Sequence, residues 1–168
     1  YGSNGQTSHS SQRDGSLLAH PPSSAHFLRS GLTVTSPPNI TIASDKLIDF
    51  AAALFESGGV GTAEARDVAT SLVESNLCGH ESHGVVRVIE YLGLLERGEL
   101  HGDVPLKVLS ETPALVTCDG GFGFGQVQMR RLIDLVSRKA RDVGIACATM
   151  RNCGHVGRLG EWVERLAA

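Results

Sequence analysis

The sequence has no excess of basic charge: its 168 residues carry 15 Lys and Arg against 18 Asp and Glu, a formal charge of −3, with a pI near 6.2. A phosphate backbone finds no broad positive field here, so composition gives nucleic-acid binding no support. Long apolar runs are missing too. Nothing approaches the roughly 20 residues that a spanning helix requires, so the sequence offers no membrane segment. Only four cysteines occur, Cys78, Cys118, Cys147 and Cys153, irregularly spaced, without a CxxC pair and without a signal peptide before them. That usage predicts free thiols in a reducing, cytoplasmic compartment rather than a disulfide framework. What is present is 41% hydrophobic residues, enough at this length for a proper core. The chain begins at Tyr1 rather than Met and stops at Ala168 within a helical pattern, and the expectation is a fragment.

Residues 1–40 are rich in Ser, Gly, Pro and His and hold a single acidic residue, Asp14. Such a segment buries too little surface to offset its ordering entropy, and a disordered tail is expected. Its acid-poor character, with Arg13 and Arg29, also resembles a mitochondrial or other organelle transit peptide, although no amphipathic Arg-rich helix supports that alternative.

From Ser44 the pattern turns helical. Ser44 is placed to cap, Leu47, Ile48, Ala51, Leu54 and Phe55 recur at helical period, and Gly58-Gly59 end the helix. Thr62 is placed to cap a second helix with Ala65, Val68, Ala69, Leu72 and Val73 as its buried stripe, the charges Glu64, Arg66, Asp67 and Glu74 falling mostly elsewhere. A third helix is expected from near Ser82 to Gly98. After Pro105 the period shortens to strands, LKVL and ALVTC about a turn at SETP, followed by the glycine cluster DGGFGFG. An amphipathic helix over about 126–142 ends at Gly144, the strand IACATM follows, and the loop RNCGHVGRLG leads into a last helix, GEWVERLAA. The predicted class is α+β: a helical domain over 41–112, then the beginning of an α/β domain over 113–168.

The stretch CGHESHGVVRVIEY carries the chemistry. On a continuous helix His83, Arg87 and Tyr91 would fall at i, i+4 and i+8 along one stripe, with Ser82 at the cap. Histidine exchanges a proton near neutral pH, and an arginine one turn away offers a fork that fits a carboxylate. Together they suit a 2-oxo or 2-hydroxy acid, whose carboxylate Arg87 would hold while His83 serves the adjacent oxygen. An ordinary solvent-exposed helix face explains the spacing equally well. Cys78-Gly79-His80 with His83, and later Cys153-Gly154-His155, raise a zinc module as another possibility, although no CxxC or HxxxH pair is present. His155 between glycines is either a loop histidine that a ligand approaches or an inert turn residue. Gly121, Gly123 and Gly125 follow a predicted strand, as a phosphate cradle would, yet Gln126 stands where the third fingerprint glycine belongs. Arg151 follows the next strand where an acidic residue is expected. A flexible turn is the favoured reading of these glycines.

Three segments, SNLCGHESHGVVRVIEYL, DGGFGFGQ and ARDVGIACATMRNCGHVGRLGEWVE, taken in that order resemble the malate/L-lactate dehydrogenase family, which includes ureidoglycolate, sulfolactate and diketogulonate enzymes and cyclic-imine reductases. The resemblance covers residues 41–168. It implies an NAD- or NADP-dependent oxidoreductase acting on a 2-oxo acid or related imine, a fold that is not a Rossmann fold, and a homodimer in the complete enzyme. It also implies that His83 is the proton donor, that Ser82, Arg87 and Tyr91 are neighbouring active-site residues, and that His155 falls on a histidine assigned in some members as the proton acceptor. Family members continue well beyond this point, so the resemblance implies a cofactor-binding domain truncated at its C-terminal side. A catalytically inactive fragment that dimerises with full-length relatives is the competing expectation.

Overall fold

The computed structural model describes residues 40–167, and Ile40–Ala168 form one compact unit. The expectations for the N-terminal segment, a disordered tail or a transit peptide, lie outside the described residues.

Two long helices open the unit, α1 (Ser44–Ser57) and α2 (Thr62–Leu77). The periodic apolar residues do what their spacing predicts: Ala51, Ala52 and Phe55 of α1 pack on Ala65, Val68, Ala69 and Leu72 of α2, all buried. Gly59, at φ +87°, reverses the chain between them at little steric cost. The caps differ from expectation. Ala43 and Gly61 occupy the cap positions, and Ser44 and Thr62 are the first helical residues. Gly61 replaces a capping side chain with a tertiary contact, its N–H donating to Asp103 Oδ2 at 2.8 Å. Glu64, expected on the polar side, is buried, with Arg131 at 3.8 Å; loss of solvation raises its carboxyl pKa.

The expected third helix is broken. A single 3-10 turn, Glu81–His83, is followed by Gly84 in extended conformation, and α3 runs only over Arg87–Glu96. The cause lies in α2. Asn76 Oδ1 accepts the Val85 N–H at 2.8 Å, and a Cβ at Gly84 would strike the same amide. A helix through 82–87 would forfeit that contact.

Strands β1 (Lys107–Glu111), β2 (Leu115–Gly123) and β3 (Cys147–Cys153) form a sheet in the order β1-β2-β3. The β1-β2 pair is antiparallel, so the expected domain boundary after residue 112 falls inside a hairpin. The β2-β3 pair is parallel, joined by α4 (Gly125–Val143), which Gly144 ends at φ +86°. Val116, Cys118 and Leu132 make the core between sheet and helix. Both β2 and β3 run further than their sequence suggests. Between the pairs Asp119↔Arg151 and Gly123↔Cys153 the ladder is irregular, with Gly121 and Phe122 both at φ +56°. The glycine cluster is therefore a strand bulge rather than a flexible turn, and Arg151, Asn152 and Cys153 belong to a strand rather than a loop. Helix α5 (Leu159–Ala167) closes on α2 through the buried Glu161, whose Oε2 accepts from Ser71 Oγ at 2.6 Å. All four cysteines are free thiols, and no helix of the described residues is long and apolar enough to cross a membrane.

Candidate functional site

Two segments far apart in sequence meet where α3 faces the loop after β3. Tyr91 is held in an aromatic cluster with Phe55 and Phe124, ring centroids 6.3 and 5.9 Å away. Only its hydroxyl leaves that cluster, and it lies 2.8 Å from His155 Nδ1. The second ring nearby is His83, centroid to centroid 5.3 Å from His155. The break at Gly84 makes this possible: in the 3-10 turn His83 comes to lie over His155 instead of continuing along the α3 stripe.

Besides His83, the expected cap residue and the other two residues of the expected polar stripe also depart from that picture. Tyr91 is a core residue, not a surface one. Ser82 caps no helix; its Oγ stands 2.9 Å from His83 Nδ1. Arg87 is half-buried, and its fork is already engaged, Nε donating to the Ser82 carbonyl at 2.7 Å and Nη1 to Glu90 Oε2 at 2.5 Å. Its Nη2 has no protein acceptor among the described residues.

The electrostatics distinguish these groups. Partial burial, then the nearby Arg87 and His83, hold the His155 imidazole below the ordinary histidine pKa, so its neutral form prevails at pH 7. Burial raises the Tyr91 phenol pKa, so it keeps its proton. The hydroxyl accepts from Gln126 Nε2 at 3.0 Å. Sequence reasoning noticed Gln126 only as a missing glycine. The available signal was a polar residue on the inward face at the start of an amphipathic helix.

The glycines do not fit a dinucleotide cradle. A Cβ at Gly121 would meet Val104 Cγ1 at 2.6 Å, one at Gly123 would meet Gln128 Nε2 at 2.5 Å, and one at Gly125 would strike the carbonyl oxygens of Gly154 and His155. Each faces protein rather than space for a phosphate. The zinc alternative also lacks ligands, since no group of three or more His, Cys, Asp and Glu among the described residues could hold a metal ion.

A sequence model described as malate/L-lactate dehydrogenase matches residues 42–168. The chain is 38% identical over 122 residues to hydroxycarboxylate dehydrogenase B of Escherichia coli (strain K12), covering 73% of this chain and 34% of that protein. The solved malate dehydrogenase of Pyrococcus horikoshii OT3 superposes with a TM-score of 0.72 at 33% identity, over 75% of this chain and 36% of that one. The delta1-piperideine-2-carboxylate reductase of Pseudomonas syringae pvar. tomato gives a TM-score of 0.69 at 28% identity, over 76% of this chain and 38% of that one. The chain thus spans about a third of the length of the curated relatives it matches.

Proposed function

The chain belongs to the malate/L-lactate dehydrogenase family, and from that premise we propose that it carries the acid/base side of an NAD- or NADP-dependent oxidoreductase that interconverts a 2-oxo acid, or a related cyclic imine, with the 2-hydroxy or amino acid. The observation that carries the reading is the opposed pair His83 and His155, 5.3 Å apart beside Arg87.

In the reducing direction the substrate oxygen gains a proton as its carbon is reduced. His155 is held neutral with Tyr91 against one ring nitrogen. We assign the donated proton to His83, whose Nδ1 lies 2.9 Å from Ser82 Oγ, with the neutral His155 beside it as a hydrogen-bonding partner for the substrate. Arg87 attracts the carboxylate through Nη2, and Glu90, bound to Nη1, tempers that attraction. A nicotinamide cofactor supplies the hydride in this chemistry, and with Gly121, Gly123 and Gly125 all facing protein, the described residues supply the proton and the carboxylate contact.

The test is consumption of NADH or NADPH by the protein with pyruvate, oxaloacetate, sulfopyruvate and a cyclic-imine carboxylate. Turnover with at least one, reduced about a hundredfold in His83→Ala, is expected. Turnover that survives the loss of both His83 and His155 would remove this site from the reaction.

A further inference from the structure

Gln126 has no part in the chemistry above, yet its amide is buried within the core, 1% exposed, where a polar group is costly unless it is paired. It stands at the first turn of α4, and its Nε2 donates to the Tyr91 oxygen, which lies in turn against His155 Nδ1.

A weak contact from a donor that cannot change its role reveals the polarity of this chain. The Gly157 backbone N–H reaches His155 Nδ1 at 3.4 Å, a long contact but one that can only donate. Nδ1 therefore presents its lone pair, and the Tyr91 hydroxyl must donate to it as well. An oxygen that has given its only proton to His155 receives from its other neighbour, and an amide N–H is the group able to supply that bond. Gln126 Oε1 is buried without a hydrogen-bond partner. Turning the amide over would place both of its donors where Oε1 now lies, with no acceptor there, and orphaned buried N–H groups are the rarer and costlier case.

We propose that Gln126 is a positioning residue: it sets the direction of the hydrogen-bond chain Gln126 to Tyr91 to His155, and so holds His155 as the tautomer with its proton on Nε2. This rests on the reading of His155 as part of the acid/base site. With Nδ1 committed inward, Nε2 is the nitrogen free to face a substrate, and it faces it as a donor. A glutamine is required because a glutamate, when ionised, can only accept.

The tautomer is read directly from the ring-nitrogen resonances of the full chain labelled with 15N-histidine, recorded above pH 7 without substrate or cofactor, with His155→Gln assigning the signals. The wild-type chain should show His155 protonated on Nε2. In Gln126→Glu the Tyr91 hydroxyl turns to the carboxylate and its oxygen accepts from the ring, moving the proton to Nδ1. Gln126→Met keeps the volume but removes both amide functions, and should give a mixture of tautomers. A wild-type His155 protonated on Nδ1 overturns the proposal. So does a folded Gln126→Glu or Gln126→Met chain that keeps the wild-type tautomer, and the methionine variant decides the matter if a buried glutamate prevents folding. A chain with the expected tautomers that reduces no 2-oxo acid would refute the functional reading and leave this one standing.

Discussion

The phenol oxygen of Tyr91 lies 2.8 Å from Nδ1 of His155, although 64 positions separate them in sequence. One residue belongs to a helix of the first layer and the other to the loop leaving a parallel strand. Their contact is where the two parts of the unit build one site, and it requires a buried tyrosine that is also polar at its tip.

Tyr91→Phe keeps the aromatic packing and removes that tip. The Gln126 donor then loses its acceptor and His155 loses its partner. Stability in denaturant should fall by roughly 1–3 kcal/mol, the usual cost of orphaning a buried polar group, and 2-oxo acid turnover by about tenfold, a modest share of a general acid/base contribution. A phenylalanine variant as stable as the wild type would show that the hydroxyl makes no net bond.

Stability should also depend on pH through His155. Its folded pKa lies below the ordinary value of 6.5, so between the two values the unfolded chain binds more protons. Stability is full above about pH 6.5 and is lost as pH falls toward the folded pKa. Denaturation midpoints measured across mildly acidic pH should drop for the wild type, and His155→Gln should flatten that drop. An equal slope in both chains would assign the effect to other groups.

Arg87 offers a more direct probe of substrate charge. Glu90 occupies Nη1 in a half-exposed ion pair, so the pair itself contributes little to stability. Glu90→Gln should free the guanidinium, lowering KM for a carboxylate substrate by about threefold with little change in melting temperature, in line with the size of such exposed pairs. A higher KM would mean that Glu90 orients Arg87 rather than competing with substrate.

Much of this was legible wherever the cause was local. The α1 and α2 stripes, the turn at Gly58-Gly59, the end of α4 at Gly144 and the β2-α4-β3 order follow from period and glycine placement within a few residues. The family followed from three motifs in register. The features that escaped depend on distant partners. Gly84 breaks the helix because Asn76, in the preceding helix, claims Val85. The glycine cluster extends a strand because Gly123 pairs with Cys153. Gln126 gains its place from Tyr91, 35 positions earlier. No periodicity within a single element encodes such pairings, so His83 and His155 were both visible as candidates while their facing arrangement was not.

The break at Gly84 yields a last prediction, a coupling between two positions. Asn76→Ala removes the acceptor of the Val85 N–H, costing roughly 1–2 kcal/mol, and loosens the turn that carries His83. Turnover should therefore fall by more than that stability loss accounts for. Gly84→Ala keeps an allowed backbone, φ −92° and ψ −156°, so its penalty comes from the collision with the Asn76 amide, roughly 1–3 kcal/mol as for other overpacked sites. Removing the amide removes the collision. The double variant should thus be less destabilised than the two single changes added together, by about 1 kcal/mol or more, the coupling expected of residues in contact. Urea unfolding of the four chains closes the cycle. Strict additivity would show that the Asn76 amide does not hold this turn, and that the placement of His83 over His155 has another cause.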